Sequence, residues 1–208
     1  MTSIPFLVDG AGNTNSTIIF AHGAGAPMDS PFMDFYSQNL ALSGHQVVRF
    51  EFPYMAERRS SGKKRPPDKM EKLLPFFQQI ADSQKHRPLF LAGKSLGGRV
   101  ASLIADQVNI AGFICLGYPF HPVGKPEKTR TDHLATLKTP GLILQGTRDP
   151  FGTPDEVAGY HFSQTIKLHW VEDGDHDLVP RKRSGRTKTQ NWEECLQRID
   201  SFIEEKSQ

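Results

Sequence analysis

A serine set among glycines stands out among the residues that could do chemistry. Residues 89–99 read Leu-Phe-Leu-Ala-Gly-Lys-Ser-Leu-Gly-Gly-Arg, which places Gly93-x-Ser95-x-Gly97 between a predicted strand and a predicted helix. A serine on so tight a turn has strained backbone angles, and its neighbours two residues away must be small. The turn lifts the hydroxyl above the sheet edge, beside the free N–H groups of a helix N-terminus. The pattern predicts a nucleophile at Ser95.

The Gly-Lys-Ser portion of this segment also resembles the end of a phosphate-binding P-loop. That motif needs a glycine five residues before Gly93, where the sequence has Pro88. It also needs a glycine-rich loop in place of the apolar run found here. Nucleotide binding is therefore not expected.

A serine hydroxyl needs a base, and the base needs an acid that holds its tautomer. Among the eight histidines, His176 follows a late apolar run that ends at Val171, so it should open on the same sheet edge as Ser95. Asp149 lies just past another apolar run, and the order Ser95, Asp149, His176 occurs in known catalytic triads. The alternative acids are the carboxylates adjacent to the histidine in sequence: Asp173, Asp175 and Asp177.

A loop of small residues, 23–26, follows the first strong apolar run. Such a loop can aim a backbone N–H at a developing oxyanion, and we expect the N–H groups of Ala24 and Leu96 to be the two donors. We interpret His22 as holding this loop through side-chain hydrogen bonds, and we place it among the residues that border the substrate.

Elements that alternate along the chain must position these residues. Short, nearly continuous apolar runs are typical of strands covered on both faces, and they occur at 16–21, 46–50, 89–92, 112–116, 142–144 and 167–171. Helical apolar spacing or capping signals occur between and after them, from Ser30 to Gly44, at 70–81, at 96–104, from Thr153, and at 192–203. This alternation predicts an α/β fold with a mostly parallel sheet of about six to seven strands and helices on both faces.

Composition bounds the function classes. With 208 residues, 37% of them hydrophobic, the chain is expected to form a single domain over residues 1–208 with a full core. A net charge of +2 argues against a nucleic-acid or membrane partner, and two cysteines argue against a disulfide scaffold. Residues 1–10 have no basic start and no long apolar run, so we expect no signal peptide and a cytoplasmic location.

Two segments are strongly basic. Residues 57–69 combine six cations with serine, glycine and proline, which predicts a mobile surface loop. Residues 181–188 follow His176 closely and carry five more cations. Together with Lys94 and Arg148 they suggest a positive rim that favours an anionic substrate; the alternative is ordinary solubilising charge.

These motifs together resemble a small α/β-hydrolase fold protein, over about residues 18–203. Gly93–Arg99 and the Tyr-Pro-x-His-Pro-x-Gly-Lys segment at 118–125 are similar to a compact branch. This branch includes dienelactone-hydrolase-like proteins and the hydrolase-like subunit of a nonspecific-lethal chromatin complex. The resemblance implies an α/β-hydrolase fold, no cofactor and no metal. Position 95 is serine, whereas a dienelactone hydrolase proper has a cysteine nucleophile.

The resemblance and the motifs predict a serine hydrolase, of carboxylesterase or thioesterase type, acting on a small acyl substrate. The short segment after residue 116 predicts a minimal lid and an open site, and we expect substrate contacts from His22, Lys94, Tyr118, His121 and Arg148. The alternative is a catalytically silent protein-interaction module of the same fold, whose protein partners the sequence does not identify.

Overall fold

A seven-stranded sheet organises the chain, of which the computed structural model describes residues 4–10, 14–84 and 88–207. The strands are β1 (Phe6–Asp9), β2 (Thr17–Ala21), β3 (Gln46–Phe50), β4 (Leu89–Lys94), β5 (Gly112–Leu116), β6 (Gly141–Gly146) and β7 (Ile166–Val171). Their order is β1-β3-β2-β4-β5-β6-β7. Strand β1 is antiparallel to β3, and all the other pairs are parallel. The predicted mostly parallel sheet is confirmed.

Helices cover both faces of the sheet. They are α1 (Pro31–Leu42), α2 (Pro53–Ser61), α3 (Met70–Ser83), α4 (Leu96–Ile104), α5 (Pro154–Val157) and α6 (Lys188–Lys206). Helices α1 and α6 pack with one face of the strands in one buried cluster. Helices α3 and α4 pack on the opposite face in a second cluster, which also receives side chains from α2 and α5. Every residue of β2, β4, β5 and β6 is buried, which explains their nearly continuous apolar sequences.

Two elements were not predicted. Strand β1 is a four-residue edge strand whose apolar residues, Phe6, Leu7 and Val8, are exposed, and this short run was not recognised as a strand. The segment 57–69 was predicted to be a loop throughout. Its first five residues, 57–61, belong to helix α2, and the prediction is corrected there. The buried side chains of Tyr54 and Met55 anchor that helix, and Arg59 pairs with the carboxylates of Glu51 and Asp29.

The loops that follow the parallel strands meet at one edge of the sheet, because parallel strands all end on the same side. The connection between β5 and β6 contains only a short 3₁₀ turn, Asp132–Ala135, in agreement with the predicted minimal lid. No helix within the described ranges is long and apolar enough to cross a membrane. Residues 1–3, at the start of the segment inspected for a signal peptide, lie outside these ranges.

Candidate active site

The turn between β4 and α4 holds Ser95 in a strained conformation, with φ 51° and ψ −111°. A Cβ added at Gly93 would lie 2.1 Å from the carbonyl carbon of Gly97. One added at Gly97 would lie 2.5 Å from the backbone oxygen of Ala21, on the neighbouring strand β2. These distances confirm why the positions two residues before and after the serine must be glycine. The Ser95 N–H donates to the Leu116 carbonyl at 3.0 Å, which ties the turn to β5.

Three side chains from separate loops form one chain of hydrogen bonds. Ser95 follows β4, Asp149 follows β6 and His176 follows β7. The His176 Nε2 lies 2.9 Å from the Ser95 Oγ, and its Nδ1 lies 2.8 Å from the Asp149 Oδ2. An ionised carboxylate only accepts hydrogen bonds, so Nδ1 carries the proton and Nε2 is left to accept from the serine hydroxyl. This is the arrangement in which a histidine can act as a base toward a serine.

The carboxylate of Asp149 is fully buried and held from several sides. Its Oδ1 accepts the Phe151 N–H at 2.9 Å, and its Oδ2 also accepts the Gln145 side-chain amide at 3.0 Å. The Phe151 ring then packs against the His176 imidazole, with their centroids 4.4 Å apart. These contacts fix both the acid and the ring that it orients. Neither Gln145 nor Phe151 was picked out from the sequence, since an amide four residues before the aspartate and an aromatic two residues after it form no recognised motif.

The three alternative acids have other partners. Asp173 receives the Arg181 side chain, with Nε 2.8 Å from Oδ1, and this contact lowers the pKa of Asp173 to about 2. Asp175 accepts the backbone N–H of Asp177 at 2.9 Å, and Asp177 lies 3.2 Å from the Lys94 ammonium. Among the described contacts, Asp149 is the carboxylate that hydrogen-bonds the His176 ring.

Ala24 and Leu96 carry the two backbone N–H groups that were expected to receive an oxyanion. Leu96 is the first residue of α4, and Ala24 lies in the exposed loop after β2. Within the described part of the chain, neither N–H donates a hydrogen bond. An unoccupied pair of donors at a helix N-terminus and on a facing loop is what an oxyanion hole requires.

The loop that carries Ala24 is held from below by His22, as expected. His22 is fully buried, its Nδ1 lies 2.6 Å from the Gly23 carbonyl, and its Nε2 accepts the Phe52 N–H at 3.1 Å. Burial lowers the pKa of His22, so the ring is neutral and can make both contacts. The Tyr54 hydroxyl also donates to the Gly23 carbonyl at 3.2 Å. Because both of its ring nitrogens are engaged, the expectation that His22 borders the substrate is corrected.

A cleft of about 610 Å³ opens beside Ser95 and His176. Its walls come from the loop after β2, the start of α1, the loops that carry the acid and the base, and the start of α6. Most of the wall is carbon, contributed by Pro31, Phe32, Met33, Phe151, Val179 and Trp192. Small-molecule sites commonly have this size and this apolar lining.

Of the four other predicted substrate contacts, one lines the cleft and three do not. Tyr118 and His121 are buried and lie outside the cleft lining, with the Tyr118 hydroxyl donating to the Arg130 carbonyl at 2.9 Å. Arg148 turns away to the Asp173 carbonyl, 3.0 Å from its Nε. These three expectations are corrected, because a position near the sheet edge does not decide where a side chain points. Lys94 does line the cleft, although its side chain is only 9% exposed.

Four cations of the predicted positive rim, Lys94, Arg148, Arg181 and Arg186, pair with carboxylates. Arg181 binds Asp173, and Arg186 binds both Glu194 and Asn191. Lys188, at the start of α6, lines the cleft with its ammonium 4.5 Å from the centre of the Trp192 ring, and no carboxylate within the described ranges pairs with it. The same ranges contain no group of three or more histidine, cysteine or acidic side chains that could hold a metal ion.

Comparisons with known proteins agree with this fold. A family model described as an alpha/beta hydrolase domain matches residues 14–204. The fold is similar to that of a dienelactone hydrolase from Anabaena variabilis, with a TM-score of 0.74 and 18% identity over 96% of this chain and 90% of that one. It is also similar to an α/β serine hydrolase without a lid from Xanthomonas campestris (TM-score 0.67, 19% identity, 96% of this chain and 88% of that chain). A monoacylglycerol lipase from Paleococcus ferrophilus matches with a TM-score of 0.71 at 14% identity, over 97% of this chain and all of that one (100%).

Proposed function

Since the chain belongs to the alpha/beta hydrolase domain family, we propose that it is a serine hydrolase that cleaves an ester, thioester or related acyl bond of a small substrate. The observation that carries the proposal is the Ser95–His176–Asp149 chain of hydrogen bonds, which opens into the cleft. A protein-interaction module without turnover would have no use for these three matched side chains.

In the first half of the reaction, Ser95 Oγ attacks the substrate carbonyl carbon while His176 Nε2 takes the hydroxyl proton. The buried Asp149 carboxylate stabilises the imidazolium that forms. The carbonyl oxygen becomes an oxyanion, which the N–H groups of Leu96 and Ala24 receive. His176 then protonates the leaving alcohol or thiol as the tetrahedral intermediate collapses to an acyl-enzyme.

In the second half, a water molecule replaces the leaving group. His176 removes its proton as the water oxygen attacks the acyl carbon, and the same proton returns to Ser95 Oγ when the acid product leaves. The enzyme is restored without a cofactor. An open cleft with no lid gives water direct access to the acyl carbon.

The shape of the cleft favours a short apolar acyl group. Its carbon-rich walls suit an acyl chain or a ring, and the absence of a lid leaves nothing to enclose a long lipid chain. Lys188, at the edge of the cleft, supports a preference for substrates that carry a carboxylate or a phosphate on the far side of the acyl group.

Hydrolysis of acetyl and butyryl p-nitrophenyl esters, and of a short acyl thioester, tests the proposal. Wild type should turn over at least one of them, and Ser95→Ala should lower kcat/KM by at least about 10³-fold. Ser83→Ala, which removes an exposed hydroxyl on α3, is the matched control and should retain full activity. A folded wild type that hydrolyses none of these substrates would favour the interaction module, and a pull-down that survives Ser95→Ala would support it.

A further inference from the structure

A buried ammonium group lies beneath the proposed catalytic histidine. Lys94 is the last residue of β4 and immediately precedes Ser95, and its side chain is only 9% exposed. Taking an ammonium out of water costs free energy unless polar partners replace the lost hydration. Burial lowers the pKa of Lys94, whereas the nearby carboxylates of Asp177 and Asp149 oppose that shift.

The partners of this ammonium all lie on other segments. Lys94 Nζ donates to the backbone carbonyl of His176 and lies 3.2 Å from the Asp177 carboxylate. It also lies 5.3 Å from the centre of the Phe32 ring on α1, within the range of a cation–π contact. The ammonium therefore joins the residue before the nucleophile to the backbone of the base itself, across 82 positions of sequence.

The loop after β5 leaves room for this contact. Gly117 has φ +67°, and a Cβ there would lie 2.8 Å from the His176 carbonyl oxygen and 3.0 Å from Lys94 Nζ. Its N–H donates to the Leu144 carbonyl at 2.8 Å, so the loop is fixed to β6. A glycine is needed at this position both for the backbone conformation and for the space that the ammonium and the carbonyl occupy.

We propose that Lys94 is a positioning residue, whose ammonium fixes the His176 loop over Ser95 through the His176 carbonyl and the Asp177 carboxylate. This inference rests on the proposed function. Lys94 does not touch the reacting atoms; it sets the distance between the serine oxygen and the imidazole nitrogen. Since Asp177 is 65% exposed, that ion pair adds little stability, and the hydrogen bond to the His176 backbone carries the effect.

The test replaces Lys94 by methionine, which keeps a similar length and removes the charge and the donors. A displacement of about 1 Å at a reacting centre lowers the reaction rate on the order of 100-fold. The rate of Ser95 labelling by a fluorophosphonate should therefore fall about 10- to 100-fold. For a neutral ester the loss should appear in kcat, with KM little changed. Lys94→Arg, which retains a cationic donor, should recover part of that rate. Lys167→Met, an exposed lysine on β7, is the matched control and should label like wild type.

A spectroscopic signal separates positioning from mere stability. In folded wild type, the proton that His176 Nδ1 shares with Asp149 should give a sharp downfield NMR resonance, and in Lys94→Met it should broaden or disappear. An unchanged resonance and an unchanged labelling rate in folded Lys94→Met would overturn the inference. A loss confined to KM for anionic esters would also overturn it, because Lys94 would then bind substrate. If wild-type Ser95 is not labelled at all, the proposed function fails, and the resonance still tests the positioning role.

Discussion

Replacing Asp149 by asparagine should remove most of the activity while the fold survives. The Asp149 carboxylate accepts three hydrogen bonds: from Phe151 N–H at 2.9 Å, from the Gln145 amide at 3.0 Å, and from His176 Nδ1 at 2.8 Å. An amide has one oxygen and one NH₂ group, so it cannot accept all three. In either orientation, its NH₂ group faces at least one donor.

The orientation with the NH₂ group toward His176 is favoured by Gln145. The Gln145 Oε1 is buried and has no hydrogen-bond partner, so rotation of its amide would provide an acceptor for the new NH₂ group, with loss of the long 3.3 Å hydrogen bond from Nε2 to the Gly152 carbonyl. His176 would then accept at Nδ1 and carry its proton on Nε2, where it faces the serine hydroxyl with no lone pair to offer. The wrong tautomer and the lost negative charge together predict a fall in kcat of about 10³- to 10⁴-fold, or roughly 4–5 kcal/mol in the barrier.

The assay combines ester hydrolysis with urea denaturation. One unsatisfied buried group predicts a loss of about 1–3 kcal/mol in the free energy of unfolding, so the variant should still fold. Asp82→Asn makes the same chemical change on the exposed side of α3 and should alter neither quantity. If the activity of Asp149→Asn stays within about threefold of wild type, the assignment of Asp149 as the catalytic acid is refuted, because the same change in a known triad lowers kcat by about 10⁴-fold. Inactivation by Asp173→Asn instead would identify a different acid.

Three further changes test other parts of the account. Gly93→Ala places a methyl group against the Gly97 backbone; it should destabilise the fold by about 1–3 kcal/mol in urea denaturation and abolish labelling of Ser95. Lys188→Met should remove any preference for a carboxylate-bearing ester over its neutral analogue in kcat/KM at low salt, and leave the neutral ester unaffected. Burial lowers the pKa of His133 to about 4, so the unfolded chain binds more protons between about pH 6.5 and 4, and stability should fall as the pH is lowered through that window. His133→Gln should remove about 1 kcal/mol of the difference in unfolding free energy between pH 7 and pH 5, a figure reduced for partial solvent exposure.

The sequence predicted the elements that are buried and missed those that are not. Strands β2 to β7 appear as apolar runs because most of them are covered on both faces. The edge strand β1 also has a short apolar run, Phe6-Leu7-Val8, but these side chains are exposed and the run was not recognised as a strand. Helix α2 was hidden by its arginines and serines, although Pro53 at its first position was a usable start signal. Its anchors, Tyr54 and Met55, lie at one end, so the helix has no apolar stripe.

Site residues that depend on backbone position could be predicted, and those that depend on side-chain direction could not. Ser95, Asp149 and His176 each follow a strand end, and strand ends converge whatever the side chains do. Tyr118 and Arg148 also follow strand ends, but they point into the core and toward Asp173. The charge pattern was also a poor guide, because a basic run does not reveal which carboxylates pair with it. Arg59, Arg181 and Arg186 each bind a carboxylate that lies eight positions away in sequence and outside the run.

Intact-mass labelling with a fluorophosphonate is the most direct test of whether Ser95 is an activated nucleophile. We expect a single adduct on wild type, mapped to Ser95, that is absent in Ser95→Ala and forms far more slowly in His176→Ala. Ser83→Ala should label at the wild-type rate. No adduct on folded wild type, or an adduct that persists in Ser95→Ala, would show that Ser95 is not an activated nucleophile.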